Sequence, residues 1–150
     1  MDMFDCIVIG GGMVGAASAL ALAELGLTVA VVEQKKPNDF VADQPFDLRV
    51  SAISLASEHL LTQLGAWHKI KTSRNCPYSR LGVWEDVLAY TEFTAESINQ
   101  SHLGHIIENR LIQLALWNQL SNNENITLFC PDKLLSFDQS SDVITVDLSS

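Results

Sequence analysis

Residues 6–20 read CIVIGGGMVGAASAL, an apolar run that breaks into three glycines and, after two more residues, takes a fourth. No charged residue stands between Asp5 and Glu24. That length approaches the roughly 20 apolar residues of a membrane-spanning helix. The flanks oppose such a reading, and equally a secretory leader. Asp2 and Asp5 stand where a positive region would be, and no stop-transfer pattern follows. The glycines are also packed at one point and not spaced along a helix face.

A buried strand ending in a tight turn accounts for every position. Phe4 to Ile9 is short, apolar and rich in Ile and Val, as in a central parallel strand covered on both faces. Gly10, Gly12 and Gly15 then match G-x-G-x-x-G, which follows a strand, opens a helix and cradles a pyrophosphate. The spacing predicts a helix over Ala16 to Leu25, stopped by Gly26, and a second strand over Thr28 to Val32. That strand ends at Glu33, some 20 residues beyond the glycines. An acid there accepts hydrogen bonds from adenosine ribose hydroxyls and repels a 2′-phosphate. The unit therefore predicts an α/β, Rossmann-like dinucleotide site suited to FAD or NAD and unsuited to NADP. The phosphates would sit at a helix N-terminus, where amides and the dipole favour negative charge.

With 150 residues and 47% hydrophobic content, the chain has the size and composition of one ordinary soluble domain. A net charge of −9 argues against nucleic acid as a partner. Cys6, Cys76 and Cys130 are odd in number and far apart, which suits a reduced, cytoplasmic protein.

Beyond Glu33, residues 34–47 are polar, carry Pro37 and Pro45, and are too irregular for a third strand. DLRVSAIS (47–54) leads into a helix with Ile53, Ala56, Leu60, Leu61 and Leu64 at helical spacing, which Ser51 could cap. Arg49 is the one cation of that stretch, either a phosphate clamp or a surface arginine. Leu81 to Phe93 reads as two strands around Glu85 and Asp86, and Gly104 to Ile107 as another, running into a helix over Arg110 to Leu120. Asn109 at that junction is either an N-cap or a ligand contact. Ile126 to Phe129 and Val143 to Leu148 read as later strands, the last with one buried face formed by Ile144, Val146 and Leu148. His102 and His105 form H-x-x-H, but on an extended segment that spacing sends the rings to opposite faces. No third ligand joins them at a known spacing, so no metal site is expected. Trp67, Trp84 and Trp117 read as core or interface anchors. No residue is assigned a catalytic role.

Five segments carry a resemblance that runs along nearly the whole chain: VIGGGMVGAASALALAELG (8–26), VVEQ (31–34), DLRVSAISLASEHLLTQLGAW (47–67), SHLGHIIENRLIQLALWNQL (101–120) and ITLFCPDKL (126–134). The sequence resembles the N-terminal part of the FAD-dependent aromatic-ring hydroxylases of ubiquinone biosynthesis, within the p-hydroxybenzoate hydroxylase-like group. The last two segments look most like the 2-polyprenylphenol hydroxylase branch, whereas CPYSRL and VWE look like the demethoxyubiquinone hydroxylase branch.

The resemblance implies a GR2-type FAD-binding domain, mainly parallel sheet plus additional strands. It implies that Gly10, Gly12, Met13, Val14 and Gly15 hold the ADP half of FAD, and that Glu33 and Gln34 lie at the ribose. Arg49 would contact the flavin side. Asn109 stands where many relatives place an arginine, and the backbone at Leu134 would lie beside adenine. The implied reaction hydroxylates a polyprenylated phenol or quinol: NAD(P)H reduces the flavin, O2 adds to the reduced flavin as a C4a-hydroperoxide, and that species oxygenates the ring. So apolar a substrate implies peripheral contact with the inner face of a membrane, and the family leaves room for a ubiquinone-biosynthesis complex or a homo-oligomer. Relatives continue well past Ser150, so residues 1–150 are expected to be the N-terminal portion of an FAD-binding domain from a hydroxylase of roughly 400 residues, a length for two or more domains. Two rivals are an NAD-dependent dehydrogenase domain, which predicts a third strand soon after Glu33, and a non-catalytic nucleotide- or flavin-binding module.

Overall fold

A computed structural model describes residues 2–86 and 89–150. In chain order its first half forms β1 (Cys6–Ile9), α1 (Met13–Glu24), β2 (Val29–Val32), β3 (Val50–Ser54), α2 (Leu55–Gln63), α3 (Trp67–Lys71), β4 (Asn75–Tyr78) and β5 (Arg80–Trp84). The second half adds β6 (Tyr90–Thr94), a 3-10 turn (Glu96–Ile98), β7 (Gly104–Glu108), α4 (Asn109–Leu120), β8 (Ile126–Phe129), β9 (Leu134–Gln139) and β10 (Ile144–Leu148). The chain divides into two units, one of Met1–Phe40 with Gln113–Ser150 and one of Val41–Ile112.

In the first unit β1, β2 and β8 form a parallel sheet in the order β1-β2-β8. Val29, Ala30, Val31 and Val32 are all buried, so the middle strand is the continuous apolar, Val-rich run that a two-sided core selects. Ala16, Ala19, Leu20 and Ala23 recur at helical spacing as the buried stripe of α1. Gly26, at φ 82°, ends that helix with its amide on the Ala23 carbonyl. The sequence predicts β1 as the central strand, but the structure gives that place to β2. Among the described residues β1 pairs on one side only, and Ile9 is 51% exposed. Asp5 joins the two strands at their start, its carboxylate accepting from the Thr28 amide and hydroxyl.

No strand occurs over residues 34–47, as the sequence predicts, and the third parallel strand is β8. β9, which the sequence reading missed, forms an antiparallel hairpin with β10. The expected buried face of β10 is not found. Ile144 is 54% exposed, and with Val146 it borders an open apolar cavity of about 490 Å³ also lined by Phe4, Ile7, Val32 and Phe129.

In the second unit β7 is the centre of an antiparallel sheet ordered β3-β7-β4, and β5 and β6 form a separate hairpin. Val87 and Leu88, inside the predicted strand pair 81–93, lie outside the described residues. Leu61, Leu64, Ile70 and Ile107 are buried in this unit, each worth about 1.5–3 kcal/mol relative to exposure. Here Ser51 is not a helix cap. It lies on β3 opposite Ile107, and Ser54 caps α2 by accepting from the Ser57 amide. Ile53, at helical spacing from Ala56 and Leu60, is likewise a strand residue, because pairing with β7 overrides the local pattern.

Candidate functional site

The glycine turn and the end of β2 meet in the first unit. Gly10 has φ 102°, a conformation that side chains rarely adopt. A Cβ at Gly15 would lie 2.0 Å from the Gly10 carbonyl oxygen, so only a bare backbone lets α1 seat against the turn. Gly12 is different. It has an ordinary extended conformation (φ −67°, ψ −178°), and a Cβ there would meet nothing within 4 Å. Its bareness serves no packing purpose within the protein. Gly12 is also the N-cap of α1, it offers no capping side chain, and no acid stands in the first turn. The leading amides of a 12-residue helix are thus left to an outside acceptor. Met13 and Val14 form that first turn, Val14 being 78% exposed.

Glu33 stands directly beside this opening. One carboxylate oxygen accepts from the Gly11 amide at 2.7 Å and the other from the Lys35 amide at 3.0 Å. A carboxylate has about four acceptor sites, so two bonds leave capacity for a pair of hydroxyls. Gln34 follows, exposed. The Glu33 amide donates to the Phe129 carbonyl, and its own carbonyl accepts from the Asp132 amide. This ties the segment leading to Leu134, the first residue of β9, to the acid. Burial first, and the nearby Glu33 carboxylate second, push the Cys130 thiol up, so Cys130 presents a neutral thiol there.

Two contributors escaped the sequence reading. The Gly11 carbonyl accepts from Trp117 Nε1 at 2.6 Å and from Gln113 Nε2 at 3.0 Å. These side chains lie four positions apart on one face of α4. With Glu33 on its amide, the Gly11 peptide is held on both sides. A Cβ there would come within 2.8 Å of the Trp117 ring. Trp117 is a buried anchor, as predicted, but the atom it anchors belongs to the turn. Its only trace in the sequence is the closing ALW of the GHIIEN…ALW segment. Trp117→Phe should cost about 0.5–1.5 kcal/mol, the net worth of one hydrogen bond lost while Gln113 keeps the carbonyl partnered, measurable by urea denaturation.

In the second unit Arg49 directly precedes β3. It is exposed, with no ion pair among the described residues, while its carbonyl accepts from the Asn109 amide at 3.0 Å. The Asn109 side chain accepts from the Ser51 hydroxyl at 2.6 Å. The loop ahead of Arg49 is pinned by charge. Buried Glu108 accepts from the Asp47 amide and from Arg74, and Arg110 pairs with Asp47 at 2.8 Å. Arg49 and Asn109 are thus neighbours on ordered backbone, although 60 positions separate them in the sequence.

The H-x-x-H expectation needs correction. The His102 and His105 rings do not point to opposite faces, since their centroids are 4.5 Å apart. Alternation fails because His102 precedes β7, which starts at Gly104.

The FAD dependent oxidoreductase family matches residues 5–39, the glycine turn through the end of β2 and beyond. The 3-demethoxyubiquinol 3-hydroxylase of Escherichia coli (strain K12) is 41% identical over 144 residues, covering 96% of this chain and 37% of that protein. The chain is a relative of the FAD-dependent ubiquinone-biosynthesis hydroxylases. A second such hydroxylase, the mitochondrial ubiquinone biosynthesis monooxygenase COQ6 of Danio rerio, is 36% identical over 79% of this chain and 26% of its own length. The chain therefore spans about a third of the hydroxylases it matches. Among solved structures, p-nitrophenol 4-monooxygenase PnpA from Pseudomonas putida DLL-E4 superposes with a TM-score of 0.70 at 19% identity, over 96% of this chain and 35% of that one. The fold is that of the p-hydroxybenzoate hydroxylase-like FAD-dependent monooxygenases, a parallel sheet with added antiparallel strands.

Proposed function

We propose that this chain forms the N-terminal portion of the FAD-binding domain of an aromatic-ring monooxygenase of ubiquinone biosynthesis, and holds the ADP half of the cofactor. The observation that carries the reading is the uncapped N-terminus of α1 over the bare Gly12, with the Glu33 carboxylate beside it. In this reading the amides following Gly12 receive the pyrophosphate, with Gly10 and Gly15 shaping the turn and Met13 and Val14 forming the rim. Glu33 accepts from the ribose hydroxyls and Gln34 borders them. The backbone at Leu134 flanks adenine, and Arg49 and Asn109 serve the flavin side. These residues bind and orient, and the fixed Gly11 peptide keeps the turn from collapsing into the space meant for phosphate. FAD, when bound, would supply the redox and oxygen-transfer chemistry, with NAD(P)H as reductant and O2 as co-substrate.

The substrate in this proposal is a polyprenylated phenol or quinol. The 41% identity to a protein named 3-demethoxyubiquinol 3-hydroxylase supports the demethoxyubiquinone branch over the 2-polyprenylphenol branch. No helix among the described residues is long and apolar enough to cross a membrane. Peripheral contact with a membrane is part of this proposal, because so apolar a substrate resides there.

Competition titration tests the reading. FAD binding, followed by flavin fluorescence, should be reversed by ADP and untouched by FMN, which lacks adenosine. Displacement by FMN, or binding of NAD without FAD, would overturn it.

A further inference from the structure

The second unit holds a cluster that the FAD site does not use. Glu58 on α2 directs one carboxylate oxygen, Oε2, at two imidazoles, 2.9 Å from His102 Nε2 and 3.4 Å from His105 Nδ1. The ligand-capable atoms of the three residues all lie within 4.8 Å of one another. We propose that Glu58, His102 and His105 bind a divalent transition-metal ion of the zinc class, leaving a fourth position open.

Three observations support this. His105 is 6% exposed, and its Nδ1 is buried without a hydrogen-bond partner although it faces the carboxylate. Leaving such a nitrogen without a partner is unfavourable; a metal ion would give its lone pair a partner. The spacing also suits zinc. Bonds of about 2.0–2.2 Å to tetrahedral ligands place donor atoms about 3.4 Å apart. The two carboxylate distances, 2.9 and 3.4 Å, lie just below and at that value. Finally, the cluster has the outer partners of a built site. Ser101 Oγ lies 2.9 Å from His102 Nδ1 and orients that ring through its far nitrogen. Trp67 packs edge-on against His105 at 5.1 Å and gives the buried side an apolar wall. Two histidines and one carboxylate with an open position are a donor set that zinc takes in hydrolytic sites.

The experiment is isothermal titration of Zn²⁺ into the full chain after chelator treatment, with the three cysteines alkylated so that thiolates cannot compete. One saturable site is expected. Glu58→Gln and His102→Gln should each weaken it by more than about 100-fold. Ser101→Ala, an exposed position, should weaken it by about 10–100-fold, the usual cost of an outer-shell partner. His59→Ala, exposed on the same helix, should change nothing. Failure of the alkylated chain to bind Zn²⁺ at millimolar concentration would overturn the proposal. So would binding that both Glu58→Gln and His102→Gln retain. If those two variants lose their circular dichroism, Ser101→Ala decides, and unchanged binding in it counts against the site.

Discussion

Gly15→Ala is expected to be the most damaging small substitution in the first unit. The new methyl would sit 2.0 Å from the Gly10 carbonyl oxygen and 3.3 Å from a Val8 methyl. The clash is with backbone, which cannot swing aside as a side chain would. Either α1 lifts from the sheet, or the turn opens and the Gly10 amide gives up its 2.8 Å bond to the Val32 carbonyl. Overpacking of this kind costs about 3 kcal/mol or more, a fall in melting temperature of roughly 6–12 °C for a chain of this size. Thermal unfolding followed by circular dichroism reads it directly. A shift below about 2 °C would mean that α1 has slack against the sheet.

Gly12→Asp separates binding from folding in the opposite sense. The φ of −67° accommodates any residue, the space around the new side chain is open, and aspartate is among the best N-caps. The fold should therefore be kept or strengthened by up to about 1 kcal/mol. The same carboxylate would occupy the α1 amides and place a negative charge where the pyrophosphate has to lie. FAD affinity should fall by at least 100-fold, about 2.8 kcal/mol. The test pairs melting temperature with FAD titration. Intact stability with undiminished FAD binding would remove the pyrophosphate from this helix terminus.

What the sequence made legible was local. The glycine turn, α1 and β2 occupy one continuous stretch, and each rests on neighbouring residues: an apolar run, a helical stripe, a glycine stop. The hidden features join distant positions. Val50–Ser54 mimics the start of a helix because Ile53 stands three residues before Ala56, and only its ladder with β7 makes it a strand. The His102–Glu58 contact spans 44 positions, so no spacing rule could supply the carboxylate. β9 reads LLSFDQ, with little alternation, and exists through its pairing with β10. At the candidate site the glycines and Glu33 were legible from their spacing. The hold of α4 on Gly11 was not.

That hold has a temporal side. Gly11 and Trp117 are 106 positions apart, and β8, which covers the far edge of β2, is made later still. At about 5–20 residues per second of synthesis, a nascent chain carries the finished glycine turn for roughly 5–20 s before its clamp exists. During that interval the VAVV strand has one bare edge, an invitation to wrong pairing. The second unit, encoded in between, is complete before the sheet of the first unit can close. The order of manufacture thus differs from the order of the motif: the glycine turn is made well before the helix that secures it.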